Sequence, residues 1–312
     1  MSERPRVSFL GPHGTYAEEA LRTQRDLVDG DLVPERTVND VMNAVDDGSS
    51  DLGLVPIENS IEGSVTVTLD TLAFDSELLI QREVDLPVSL HLCALPGTKL
   101  GDVRTIITFP HASAQCRGWL AKKLPAVDVE AANSTADAAR SVSKSRRVGL
   151  ATICSRFAAK LYGLLVLASE IEDHPEVQTR FVVVGRGIPS PTGHDKTSIV
   201  CFQREDRPGS LLAILQEFAA RAINLTKLES RPTKRSLGEY CFFIDAEGHI
   251  ADELVADCLR TLMAKQADVK FLGSYPIAGD AHDRRRRVGK AWREATTWLD
   301  ELRARIRRGD RG

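Results

Sequence analysis

Val7-Ser8-Phe9-Leu10 runs straight into Gly11-Pro12-His13-Gly14-Thr15, and Tyr16 to Arg25 then reads as a helix. A short apolar strand, a turn of small and hydroxylic residues and a helix is half of an α/β unit, and the pattern repeats. Val38 to Val45 is a second helix, Asp51 to Ile57 a strand, and Val65 to Phe74 a helical stretch. Leu78 to Leu95 is rich in strand formers and is broken by Pro87. Strands at Thr105 to Phe109, Val127 to Ala131, Val148 to Ala151 and Arg180 to Val184 alternate with helices at Ala112 to Leu124, Thr135 to Ser143 and Cys154 to Tyr162. The alternation predicts an α/β sheet architecture up to about Gly185.

Gly185 to Asp195 holds Gly187, Pro189, Pro191 and Gly193, a linker signal. After it come strand Thr197 to Phe202, helix Gly209 to Arg221, strands Asn224 to Ser230 and Glu239 to Asp245, helix Ala251 to Ala264 and strand Val269 to Tyr275. That β-α-β-β-α-β order is the ferredoxin-like plan. The tail repeats Val288, Trp292, Ala295, Leu299, Leu302 and Ile306 at spacings of three and four, one helical stripe. It packs on its own domain, joins a partner helix or lies on nucleic acid.

The chain has 312 residues, 42% hydrophobic and 27% charged, an ordinary globular composition of about two domains. Its net charge of −3 gives no global argument for nucleic acid. Asp283 to Gly312 alone holds 11 Arg/Lys against 5 Asp/Glu, or +6, so the remainder carries −9. Cys93, Cys116, Cys154, Cys201, Cys241 and Cys258 are scattered through apolar segments and read as buried reduced thiols in a cytoplasmic protein. No signal core or membrane-spanning run is seen. The seven histidines lack metal-ligand spacing, and Gly11-x-x-Gly14 lacks the rest of a dinucleotide or phosphate loop, so neither a metal nor a cofactor is expected.

Strand-to-helix junctions are where α/β sheets bind ligands, because free amides and helix dipoles favour anions there. Four junctions here are rich in small or hydroxylic residues: Gly11 to Thr15, Glu58-Asn59-Ser60 with Gly63-Ser64, Pro110 to Ser113, and Asn133-Ser134-Thr135. Each reads as a helix cap or, taken together, as a site for a small anion.

Gly11-Pro12-x-Gly14-Thr15-Tyr16, Val55-Pro56-Ile57-Glu58-Asn59-Ser60 with Gly63 and Val65, Ser134-Thr135-Ala136-Asp137-Ala138-Ala139, and Thr179-Arg180-Phe181 resemble, in order, the motifs of prephenate dehydratases. Residues 196–277 resemble an ACT domain, with Pro208-Gly209-Ser210-Leu211-Leu212 for its Gly-Ala-Leu segment and Ile223 to Pro232 for the dehydratase version of its ligand strand. The resemblance implies a catalytic region over 1–190 with a fold like type 2 periplasmic binding proteins. Lobe 1 would take about 1–84 and 176–190 and lobe 2 about 85–175, with crossings near Val84 to Pro87 and Gln178 to Phe181. A regulatory domain would follow at 196–277 and a basic tail at 281–312.

The implied reaction is loss of carbon dioxide and water from prephenate to give phenylpyruvate, without a cofactor. Catalysis would fall to Thr179, Arg180, Glu58, Asn59 and Ser60. Arg180 would hold a carboxylate by two parallel bonds, and Thr179 would assist hydroxide departure. Glu58 either braces its loop or serves as an acid with a raised pKa. Gly14, Thr15, Tyr16, Ser113, Ser134, Thr135 and Phe181 would bind substrate. Val177 and Phe109 depart from the family pattern, which often has Asn and His there, and His111 is expected to cap or face solvent. Phenylalanine would bind where two regulatory domains meet, at Gly209, Ser210, Leu211, Leu212, Asn224, Leu225, Glu229, Ser230 and Arg231, in a homodimer or homotetramer. Arogenate dehydratase, and a sensor without activity, are the alternatives.

Overall fold

In a computed structural model, which describes residues 4–203, 207–234, 239–265, 267–278, 297–299 and 301–303, the opening stretch forms strand β1 (Arg6–Leu10) and helix α1 (Tyr16–Thr23). Thr15 sits between them as N-cap and accepts a bond from Glu18 N. The first lobe continues through β2 (Asp31–Glu35), α2 (Val38–Asp46), β3 (Leu52–Asn59), β4 (Gly63–Ser64), α3 (Thr66–Asp70, extended by a π turn over Thr71–Asp75) and β5 (Leu79–Pro87). The second lobe runs from β6 (His91–Ala94) through β7 (Thr105–Thr108), α4 (Pro110–Gln115), α5 (Arg117–Lys123), β8 (Asp128–Ala131), α6 (Thr135–Ser145), β9 (Leu150–Cys154) and α7 (Arg156–Leu161) to β10 (Leu165–Ala168). The chain then returns to lobe 1 as β11 (Gln178–Gly185). The sheets have orders β2-β1-β3-β11-β5, with β4 beside β3, and β10-β6-β9-β7-β8.

This is the two-lobed α/β plan that the resemblance implies. The first crossing lies just after, and the second just before, the expected positions. Gln178 pairs with Pro87 and Phe181 with Val84 inside the lobe 1 sheet, so the chain passes between lobes at residues 88–90 and 169–177. Val88 N donates to Val177 O at 2.7 Å and ties the two crossings together.

β12 (Asp195–Gln203), α8 (Ser210–Ala219), β13 (Leu225–Pro232), β14 (Tyr240–Glu247), α9 (Glu253–Lys265) and β15 (Ala267–Pro276) form the third sheet, antiparallel in order β13-β14-β12-β15. One face packs on α8 and α9 through Ile199, Cys201, Ile244 and Phe242. The other shares a core with lobe 1, where Val200, Phe243, Leu272 and Tyr275 meet Ile80, Val182 and Val184. Gly273 permits that approach: its φ is +142°, and a side chain there would meet Ile80 O at 2.6 Å. All six cysteines are buried. Of the tail stripe, Val288, Trp292, Ala295 and Ile306 lie outside the described residues; Leu299 and Leu302 lie on exposed helical residues. Among the described residues no helix is long and apolar enough to cross a membrane.

Candidate active site and effector groove

β3 and β11 are antiparallel neighbours, and their register sets Thr179 opposite Asn59 and Arg180 opposite Glu58. Ser60 clips the ends together: its N donates to Gln178 O at 2.9 Å, and its Oγ accepts from Gln178 N at 3.0 Å. Ser60 is therefore not at a helix start, because β4 intervenes before α3. Asn59 Oδ1 accepts from Ile61 N and Glu62 N, which leaves Nδ2 to donate to Thr179 Oγ1 at 2.9 Å. With its oxygen engaged as acceptor, the Thr179 hydroxyl is free to donate its own proton elsewhere.

Successive residues of a strand face opposite ways, so Arg180 and Glu58 lie behind this pair. Arg180 Nη2 is 2.9 Å from Glu58 Oε2, and its Nη1 is 3.0 Å from Asp245 Oδ2 and 3.4 Å from Glu83 Oε2. The expected role of Arg180, a fork for a substrate carboxylate, does not fit this placement. Three protein carboxylates already hold the guanidinium, only 15% exposed, on the face turned to the third sheet. Burial alone would lower its pKa; Asp245, Glu83 and Glu58 more than offset this and raise it. The Glu58 carboxylate also contacts Lys227 Nζ at 3.3 Å.

The lobes meet around the turn after β1. A side chain at Gly14 would come within 2.9 Å of the Tyr162 ring and 3.6 Å of Ala136 Cβ, so the start of α1 abuts the start of α6. Thr15 and Ser134 cap these helices, and Thr135 is the first helical residue of α6. Tyr162 OH donates to His13 O at 2.6 Å, and Arg22 lies over the Phe157 ring. On the far side His111 Nδ1 is 2.9 Å from Glu62 Oε2, so His111 bridges the lobes instead of facing only solvent.

Three other expected substrate contacts are occupied. Phe181 is buried with Phe9, Leu21 and Val183, because alternation along β11 turns it, like Val183, to the face opposite Arg180 and into the core of lobe 1. Tyr16 OH donates to Ser89 O in the crossing, and burial raises its pKa well above the ordinary value. Ser113 Oγ donates to Pro110 O within its own short helix.

In the third sheet, Gly209 takes φ +89° and starts α8 without a side-chain cap. The Ser210 amide donates to Arg207 O at 3.1 Å, and the rest of this helix start opens on a groove of about 480 Å³ lined by Arg207, Ser210, Leu211, Leu212, Leu215, Ser230, Tyr240 and Phe242. Glu229 and Arg231 are not in it. Along β13 only alternate residues face the helices, and these two face lobe 1, where Glu229 accepts from Ser64 Oγ and Arg231 holds Asp70 at 2.8 Å. Asn224 bonds Glu247, and Leu225 packs into the helix-side core.

A prephenate dehydratase family model matches residues 7–188, and an ACT domain model matches residues 197–262. The chain belongs to the prephenate dehydratase family. Prephenate dehydratase of Mycobacterium tuberculosis (strain H37Rv) is 44% identical over 96% of this chain and 94% of its own. The crystal structure of prephenate dehydratase from Arthrobacter aurescens, in complex with L-Phe, is 42% identical and superposes with a TM-score of 0.84 over 95% of this chain and 98% of that one. A protein described as a novel type of quorum quenching acylase is 31% identical, with a TM-score of 0.78 over 87% of this chain and 98% of its own. The last likeness is a reminder that the fold accommodates more than one named activity.

Several residues at these contacts are not marked as site residues by the motifs. Asp245, Lys227, Glu83 and Lys196 form the charged contact behind the motif strands, and Glu62 and Tyr162 link the lobes. A charged residue in an otherwise apolar strand, as Asp245 is after Phe242-Phe243-Ile244, is the one local signal that marks any of them.

Proposed function

We propose that prephenate lies between the lobes with its ring hydroxyl at Thr179. The reaction breaks the bond from the ring to its carboxylate and the bond to its hydroxyl. The two electrons left by departing carbon dioxide complete the aromatic ring as hydroxide leaves. A hydroxyl donor at the leaving oxygen therefore meets charge that grows in the transition state. Asn59 supports this reading, since its Nδ2 occupies the acceptor side of Thr179 Oγ1 and strengthens the hydroxyl as a donor. The abutting starts of α1 and α6 offer the dianion two positive helix ends. Glu58, held by Arg180 and Lys227 away from this side, is read as a brace.

The test is phenylpyruvate formation by Thr179→Ala and Thr179→Ser, with arogenate assayed in parallel. Loss of the donor is expected to cost about 10²- to 10⁴-fold in kcat, with serine keeping most of the rate. Turnover by the alanine variant within threefold of wild type would overturn the assignment. Faster turnover of arogenate would reassign the substrate.

L-phenylalanine fits the groove beside α8. Its carboxylate would meet the amides after Gly209 and its ring Leu211, Leu215 and Phe242. Leu212, Leu228 and Tyr240 remain exposed around the groove, which a second copy would cover. The reading is a cytoplasmic homo-oligomer regulated by feedback. Phenylalanine must then bind one arrangement better than the other, and light scattering that gives a monomer with and without it would refute the shared site.

A further inference from the structure

The strand pair behind the reacting residues faces a second pair across the domain contact. Arg180 and Glu58 are directly opposite on β11 and β3; Lys227 and Asp245 are directly opposite on β13 and β14. The two pairs meet with alternating charge: Arg180 to Glu58 at 2.9 Å, Arg180 to Asp245 at 3.0 Å, Lys227 to Glu58 at 3.3 Å. Asp245 is fixed in turn, because its Oδ1 accepts from Ser198 Oγ at 2.6 Å and Ser198 meets Tyr275 OH at 2.6 Å. Side-chain exposure at Arg180, Asp245 and Lys227 is 15%, 9% and 10%, and at Glu58 39%, so water screens the Arg180–Asp245 contact little and the two contacts of Glu58 more. One step along the same strands lie Thr179 and Asn59, joined by the 2.9 Å bond. Nothing in lobe 1 alone supplies the Asp245 and Lys227 corners.

We propose that Asp245 and Lys227 are positioning residues for the reaction: the regulatory sheet holds Arg180 and Glu58, and through them the alignment of Thr179 with Asn59. The catalytic lobe is thus completed by the domain that carries the effector groove. A shift of that sheet by a fraction of an ångström reaches Thr179 through two charged contacts, without any change at the lobe-to-lobe cleft. The proposal rests on Thr179 and Asn59 being the reacting pair.

The experiment is a double-mutant cycle in the full chain. Asp245→Asn is expected to lower kcat on the order of 10- to 100-fold, the scale of a misplacement near 1 Å, with KM for prephenate changed less than threefold. In a Thr179→Ala background the same substitution should cost less than twofold, because there is no hydroxyl left to misplace. Lys227→Gln, which acts from the other corner through Glu58, should show the same dependence on Thr179 and serves if Asp245→Asn does not fold. Asp70→Asn breaks a different ion pair of the same domain contact, with Arg231, and should leave kcat within twofold. Equal losses from Asp245→Asn in both backgrounds, or a loss from Asp70→Asn as large as from Asp245→Asn, would overturn the proposal. A Thr179→Ala enzyme with unchanged kcat would instead overturn the site reading beneath it.

Discussion

The two faces of the regulatory sheet are built from the same strands and do different work. Toward α8 and α9 the side chains are apolar, and the open groove beside Gly209 has a helix start and, among the described residues that line it, the cation Arg207. Toward lobe 1 the same strands present Lys227, Glu229, Arg231 and Asp245, each with an opposite charge in reach. Glu229-Ser230-Arg231 shows the division within three residues: the serine lines the groove and its neighbours hold the other domain. A ligand face tolerates exposed apolar surface until something covers it. A face that joins two domains by buried charges specifies one register, since any other leaves a charge without its partner.

If that contrast is correct, substitutions on the lobe face should destabilise the fold and those in the groove should not. Lys196→Met is the strongest case. Lys196 Nζ lies 2.8 Å from Glu83 Oε2, and the side chains are 8% and 3% exposed. Removing one partner of a buried pair costs about 3–5 kcal/mol, and because Glu83 keeps Arg180 at 3.4 Å the loss should fall at the low end of that range, which denaturant unfolding would measure. Retention of wild-type stability would show that the contact is no more than a surface pair. Gly273→Ala comes next. Its φ of +142° and the 2.6 Å approach to Ile80 O predict a loss of about 1–3 kcal/mol. An unchanged melting temperature would mean that β15 and β5 can separate freely.

A smaller and pH-dependent effect distinguishes Glu229. Burial opposes its ionisation, but Ser64, Lys227 and Arg231 more than compensate and lower its pKa from the ordinary value. A carboxylate whose folded pKa is depressed contributes stability that is present above its unfolded pKa, about 4.3, and is lost as pH falls through the lower folded value. Wild type should therefore lose more stability than Glu229→Gln on going below about pH 4. Parallel acid limbs for the two proteins would contradict the assignment of Glu229 to the lobe face.

Much of this architecture is legible in the sequence. The four strands and two helices of the regulatory domain, and the strand–helix alternation before it, follow from apolar spacing. The strands missed were the two-residue β4 and two edges. β2 reads Asp-Leu-Val-Pro-Glu, with little apolar material and a proline that only an edge strand accommodates, and β10 lies at the margin of the other sheet. The motifs named the strand pair that carries Thr179 and Asn59, but not which way each neighbour points. Alternation puts Phe181 and Arg180 on opposite faces, but only the packing shows that Phe9 covers one face and the third sheet, through Asp245, the other. Both depend on contacts between residues 65 or more positions apart, which local pattern does not encode.

The groove face supplies the smallest expected change in stability. Leu212 is 58% exposed in the single chain, so Leu212→Lys removes little buried surface and should alter unfolding by less than about 0.5 kcal/mol. The same lysine sits in the lining beside Ser210 and Leu215. It would place a charge where the ring of the proposed effector, and a second copy over it on that reading, would have to be dehydrated. Calorimetry should therefore show loss of L-phenylalanine binding, with kcat in its absence kept. If binding survives unchanged, the effector does not use this groove. If stability falls as far as it does for Lys196→Met, Leu212 is already packed against another chain, and the contrast between the faces must be redrawn on the assembled oligomer.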